Sequence, residues 1–144
     1  MINLIVQYFK IKYDNKNAGE RQNEILYCFQ ENLKKNYIDK IHWLYEDNLD
    51  LEYFKEQGID INSNKIQLYQ LGNRLKYSDI FNYCNKFLSQ KICVYLHADM
   101  ILDTGFQNLF LPENTIYTLT PHEKDKCNNQ LKCGCTRSFK YQNK

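Results

Sequence analysis

The sequence is short of the residues that most often build a ligand loop. Its 144 residues include five glycines and two prolines. The glycines are isolated, so neither a phosphate-cradling P-loop nor a dinucleotide fingerprint exists. Charge of one sign is lacking too: 19 Lys and Arg face 17 Asp and Glu, for a net charge of +2. That balance argues against a nucleic-acid partner, because a duplex binder concentrates many basic charges on one face. No pair of aromatics is spaced as a base-stacking platform within a basic stripe. No apolar run approaches the ~20 residues that cross a bilayer, so no transmembrane segment is expected. Met1-Ile2-Asn3 leads straight into an apolar segment without the cleavage region of a secretory signal. An intracellular, cytoplasmic and reducing setting is the expectation, and Cys28, Cys84 and Cys93, inside apolar periodic segments, are expected as buried thiols. Neither a Ser-His-Asp nor a Cys-His arrangement is signalled.

What is present is a globular composition, 43% hydrophobic and 15% aromatic, in a length that suits one domain. The periodicity alternates between strand and helix. Residues 2–9 read as a buried strand and 10–19 as a loop. Residues 20–35 read as a helix with Ile25, Leu26, Phe29 and Leu33 on one stripe. A strand is expected over 39–45, a short helix over 49–57 stopped by Gly58, and a strand over 65–71. A helix then runs from Tyr77 or Ser78 to Leu88. Residues 91–96, KICVYL, are apolar on both faces and are expected at the centre of the sheet. A short helix over 105–110 and a fifth strand over 115–120 follow. From Pro121 the chain is polar and aperiodic.

This order predicts an α/β fold: a mostly parallel, Rossmann-like sheet of about five strands flanked by helices in three layers. Ligands of such sheets bind beyond the carboxyl ends of the strands. His97-Ala98-Asp99 stands at such an end, with Asp103 four residues on. A carboxylate there has no role in the core and suits a divalent cation or a substrate hydroxyl. Imidazole is acceptable to Mn²⁺ and poor for Mg²⁺. Arg74 sits in a turn before a helix N-terminus, where backbone N–H groups already favour anions. Arg21, in the first turn of a helix, is set against the helix dipole and calls for an anionic partner. Either arginine has a surface ion pair as its plain alternative. Near the C-terminus, His122, Cys127, Cys133 and Cys135 could hold Zn²⁺, pair as a disulfide, or stay free thiols; the spacing is not that of a standard knuckle.

Three further segments accompany the acidic motif: Arg21-Gln22-Asn23-Glu24, Gly72-Asn73-Arg74-Leu75-Lys76-Tyr77 and Leu119-Thr120-Pro121-His122-Glu123. With ICVYLHADMILD, they resemble the nucleotide-diphospho-sugar transferases of the GT-A type, in particular a subgroup of small viral and microbial glycosyltransferase-like proteins. The resemblance covers roughly residues 2 to 123. That span would be the nucleotide-sugar-binding domain, and 124–144 a polar, cysteine-bearing tail standing as a truncated or shortened continuation. His97 occupies the position where the family has Asp or Asn.

The resemblance implies transfer of a sugar from a nucleoside diphosphate donor to a glycan or other hydroxyl acceptor. Asp99 and His97 would hold Mn²⁺ or Mg²⁺. Arg21 and Arg74 would take the diphosphate, Tyr8 the nucleobase, and Glu46 the ribose or base. Asp103 and His122 would complete the substrate site, with Glu123 a less favoured base. If viral, the protein would act in the host cytoplasm. The isolated chain is expected to bind a donor weakly and transfer little. A non-catalytic nucleotide- or sugar-binding module, or a structural α/β protein, is the alternative.

Overall fold

The computed structural model describes residues 1–118 and 137–140. They fall into two compact units, Met1–Gln107 and Asn108–Lys144. The first unit is a four-stranded, all-parallel sheet flanked by helices, compatible with a Rossmann-like fold. Its elements are β1 (Ile2–Val6), α1 (Ala18–Lys34), β2 (Ile38–Tyr45), α2 (Asn48–Glu56), β3 (Ile66–Gln70), α3 (Tyr77–Phe87) and β4 (Cys93–Tyr95). A single 3₁₀ turn, Thr104–Phe106, follows. The strands lie in the order β3-β2-β1-β4. Among the described residues, no helix is long and apolar enough to cross a membrane.

The inner strands are β1 and β2. All five residues of β1 are buried, as expected of a parallel strand covered on both faces. Alternation along the strands then separates two clusters. Leu4, Val6, Ile41 and Trp43 join Tyr8, Phe29 and Phe54 on the side that receives α1 and α2. Tyr8 stacks on Phe29 with ring centroids 3.9 Å apart, and Trp43 meets Phe29 and Phe54 edge-on at 5.2 and 5.3 Å. The Trp43 indole N–H donates to the Tyr8 carbonyl (2.9 Å), so this core leaves no ring nitrogen unpaired. On the other face Ile5 and Leu44 pack with Ile80, Tyr83 and Leu88, around and just beyond α3.

Local chemistry marks the helix ends. Asp47 caps α2 by accepting from Leu49 N and Asp50 N, and Asp50 returns a bond to Asp47 N. Gly58, at φ 90°, ends α2 in the left-handed conformation that glycine adopts without strain. Asp79 accepts from Lys76 N (2.9 Å) at the start of α3.

Three expectations need correction. The strand expected over 91–96 is shorter, and β4 forms the edge of the sheet, not its centre. Its apolar run has another cause. Cys93 and Tyr95 pack into the α3 cluster, while Ile92, Val94 and Leu96 pack into the aromatic one. Apolarity on both faces reports cover above and below a strand and says nothing of its lateral neighbours. The fifth strand does not extend the sheet: β5 (Thr115–Thr118) pairs antiparallel with β6 (Arg137–Lys140) in the second unit. The segment expected as a helix over 105–110 is only the 3₁₀ turn.

Candidate functional site

The strand order locates a crevice before any side chain is considered. From β1 the chain moves outward through β2 to β3, then crosses back over α3 to β4 on the far side of β1. The strand order therefore reverses between β1 and β4, and the exits beside such a reversal are where open parallel sheets bind ligands. A cavity of about 180 Å³ opens at this rim, lined by Phe9, Arg21, Arg74, His97, Asp99 and their neighbours Ile25, Ala98 and Met100.

Four different segments bring these side chains there. Phe9 follows β1, Arg21 lies in the first turn of α1, Arg74 in the β3–α3 turn, and His97 and Asp99 after β4. Gln7 fixes the turn carrying Arg74: its amide donates to Leu44 O (2.8 Å) and Asn73 O (3.0 Å) and accepts from Leu75 N (3.0 Å). Gly72, at φ 80°, lets that turn reverse. Gln22 ties the exit of β1 to α1, donating to Phe9 O (3.1 Å) and accepting from Ile11 N (2.7 Å). The fully buried Asn32 holds the segment after Asp99. It donates to Met100 O (3.0 Å) and accepts from Leu102 N (2.9 Å).

The electrostatics favour an anion. Two guanidinium groups and one carboxylate line the cavity. Arg21 Nη2 lies 3.9 Å from Asp99 Oδ2, beyond hydrogen-bond length, and the two side chains are 49% and 33% exposed. Such a partly solvated pair contributes little stability and yields readily to a ligand. Arg74 lies over the Phe9 ring, 5.5 Å from its centroid. The Arg74 N–H donors make no hydrogen bond or ion pair to another side chain among the described residues. Tyr95, whose hydroxyl is 3.4 Å from His97 Nδ1, stands within the fields of Arg74 and Asp99. Burial raises its pKa first, Tyr77 and Asp99 add to the rise, and Arg74 opposes it.

A second, larger depression of about 360 Å³ lies along α2, with Lys10, Lys12, Glu52, Tyr53 and Glu56 in its lining. Its lysines are already engaged, Lys10 over the Tyr53 ring and Lys12 with Asp47. Its charges also balance, so it suits a phosphate less well than the smaller cavity.

Of the residues singled out from sequence, Arg21, Arg74, His97 and Asp99 come together here. Tyr8 does not: it is fully buried, stacked on Phe29, with its hydroxyl accepting from Asn32 (3.1 Å). It offers no ring face to a nucleobase, and burial drives its pKa far above the usual phenol range. Phe9 is the aromatic residue that reaches the cavity. The chain leaves strand geometry at Val6, so alternation no longer assigns the faces of residues 8 and 9.

Glu46 lies just past β2 among Asp47, Asp50 and Lys12 and does not line the cavity. Asp103 is at the opposite end of the sheet. Burial raises the pKa of Tyr37, ahead of β2, and nearby Asp103 adds to the rise, while the Asp103 carboxylate caps the 3₁₀ turn. The chain returns there after Met100, and the Tyr37 hydroxyl donates to Leu102 O (2.7 Å). His122, Glu123, Cys127, Cys133 and Cys135 lie outside the described residues. Cys28 is buried as expected, and burial pushes its thiol up to about 11; Cys84 and Cys93 are only half-buried.

Sequence reasoning missed Phe9, Gln7 and Asn32. For Gln7 and Asn32 a signal existed: each is an amide in an otherwise apolar stretch, where burial demands partners.

No protein-family model, curated protein or solved structure matches this chain.

Among the described residues, no three His, Cys, Asp or Glu side chains converge on one point. The rim supplies one carboxylate, Asp99, and one imidazole, His97. That donor set fits a divalent cation arriving with substrate phosphates better than one held by the protein alone.

Proposed function

We propose that this chain binds a nucleoside diphosphate sugar at the β1/β4 rim, as the donor-binding part of a three-layer, GT-A-like glycosyltransferase. The observation that carries this reading is the convergence of Arg21, Arg74, His97 and Asp99 at the topological switch point. In the implied reaction the bond between the sugar and the diphosphate breaks as an acceptor hydroxyl attacks. Negative charge grows on the departing diphosphate, and guanidinium groups already in place stabilise that charge without reorganising. Phe9 supports Arg74 from beneath, and Gln7 holds the turn that presents it. Asp99 competes for Arg21 until a ligand enters. A Mn²⁺ or Mg²⁺ ion accompanying the nucleotide would be held by Asp99, with His97 favouring Mn²⁺, and would supply further charge neutralisation.

Calorimetric titration with UDP- and GDP-sugars, with and without Mn²⁺, tests the reading. Saturable binding is expected, weakened about ten-fold or more in Arg74→Ala by loss of a charge-assisted contact. Asp99→Asn is expected to weaken Mn²⁺-dependent binding more than metal-free binding. The absence of binding to every donor, or unchanged affinity in Arg74→Ala, sinks the proposal. Labelled donor incubated with glycan acceptors then separates a transferase from a protein that only binds.

A further inference from the structure

The sheet of the first unit has two unequal edges. β4 spans three residues, whereas β3 spans five and pairs on one side only, with β2. Ile41 N bonds Lys65 O (2.8 Å) and Leu71 N bonds Tyr45 O (2.9 Å). Gln67 and Tyr69, in phase with Lys65 and Leu71, therefore turn their backbone groups toward β2. Alternation aims those of Ile66, Leu68 and Gln70 outward. Ser63 O takes Ile66 N (2.9 Å), and Leu68 O receives only the Gln67 side-chain amide, at 3.5 Å. Leu68 N and both backbone groups of Gln70 have no partner among the described residues. Natural sheets blunt such edges with lysine, proline or a bulge. Here residues 66–73, IQLYQLGN, hold no charge and no proline, and the β2–β3 register is unbroken. An aromatic ledge stands beside this edge. Tyr69 and Phe87, 36% and 47% exposed, have ring centroids 5.7 Å apart, and both touch Tyr83 (5.0 and 4.9 Å).

The geometry points to β3 as the edge through which two copies of this chain join into one continuous sheet, antiparallel about a two-fold axis at Tyr69. In that register Leu68 and Gln70 of one copy face Gln70 and Leu68 of the other. Each facing pair exchanges both backbone bonds, so all four outward groups of these two residues are satisfied in each copy. An arbitrary extended strand satisfies the backbone groups only; three features select a second copy. The edge complements itself, because its two donors and two acceptors are spaced to meet the same four on an inverted copy. Charge agrees: inversion brings Lys65 alongside Asn73 of the second copy and Arg74 alongside Asn64, so neither cation at the ends of the edge meets its like. Tyr69 meets its own equivalent at a close, non-hydrogen-bonded position, where cross-strand aromatic pairs stabilise a sheet. The two ledges of Tyr69, Tyr83 and Phe87 then merge into one apolar strip. An isologous contact of this kind closes on itself, so assembly stops at the dimer. It does not depend on the proposed nucleotide site.

Sedimentation of the full chain across a dilution series should show a monomer–dimer equilibrium. The Leu68 and Gln70 amides should exchange hydrogen more slowly as the dimer fills. Tyr69→Lys and Tyr69→Glu each set like charges against each other at the axis and should weaken self-association about ten-fold or more. Mixing the two variants should restore the dimer, now between unlike charges. Both variants lose the ring, so this rescue separates pairing at Tyr69 from a mere loss of apolar surface. Gln70→Pro removes an outward N–H and no bond to β2, and should also weaken the dimer. Circular dichroism of the dilute variants checks that each is folded. A chain that stays monomeric overturns the proposal. So does a dimer that Tyr69→Lys and Gln70→Pro leave intact, or a mixture that fails to reassociate. Slow exchange at Leu68 and Gln70 that ignores protein concentration means that the same chain covers its own edge, and overturns it equally.

Discussion

The two faces of the sheet are built on different principles. Under α1 and α2, Tyr8, Phe29, Trp43 and Phe54 are all fully buried, and their rings touch one another. Under α3 the strands present Asn3, Gln7 and His42 among the aliphatic residues. There His42 Nε2 contacts Asn3 Oδ1 (3.1 Å), and Nδ1 contacts the Tyr83 hydroxyl (2.9 Å). Since Asn3 Oδ1 only accepts, Nε2 carries a proton, and in the neutral ring Nδ1 accepts from the Tyr83 hydroxyl. The aromatic face draws most of its stability from contact area, with Asn32 as a buried polar anchor, and is most sensitive to loss of volume. The polar face depends on every donor finding its acceptor, so it is sensitive to protonation and to single-atom changes.

The largest test of this contrast is volume. Phe29→Ala should lower unfolding free energy by about 3–5 kcal/mol in urea denaturation, through lost burial and a cavity among rings. Ile80→Ala on the α3 face should cost about 2 kcal/mol, the low end for its type, because α3 is more exposed. Equal losses would break the comparison.

Acid comes next. Burial lowers the His42 pKa from its ordinary 6.5 to about 4, with Lys40 and Lys91 adding to the effect and Asp39 opposing it. Between those values the unfolded chain binds a proton that the folded one refuses. The His42 contribution is therefore fully present above about pH 6.5 and is lost progressively as pH falls toward 4. Linkage sets the loss at up to about 3 kcal/mol. Denaturation midpoints measured across this window should fall in the parent and stay nearly flat in His42→Gln.

Removing a single oxygen sharpens the same point. Tyr83→Phe keeps the ring and leaves His42 Nδ1 without a donor, at an expected cost of about 1–3 kcal/mol by denaturant titration. Smallest of all is Arg74→Ala, which should change the melting free energy by no more than about 1 kcal/mol, since only an exposed cation–π contact is lost. Its effect belongs in nucleotide titration, and a large stability loss would make Arg74 a structural residue.

The alternation of strands and helices was legible because periods of about two and 3.6 residues survive in the sequence itself. The sharing of one rim by Arg74 and Asp99 was legible for a related reason. In a parallel sheet all strand exits lie along the same rim, so residues just past any two strands share it even when, like β3 and β4, those strands are the outermost pair. Asp103 shows how short that inference is: within four residues the chain runs back to the other end, anchored by Asn32 and Tyr37. Tyr8 and Phe9 show the same limit over one residue.

From the sequence alone came the α/β class, the parallel exits and the cationic character of two turn positions, because local periodicity and residue chemistry act within a few bonds. The tertiary structure alone decided that β1 and β2 are the inner strands, that β4 is an edge, that Phe9 and not Tyr8 reaches the cavity, and that two buried amides hold the rim in place. Each of these depends on which distant segment covers a given side chain. Burial is a property of pairs of segments, and a linear pattern records only one member of each pair.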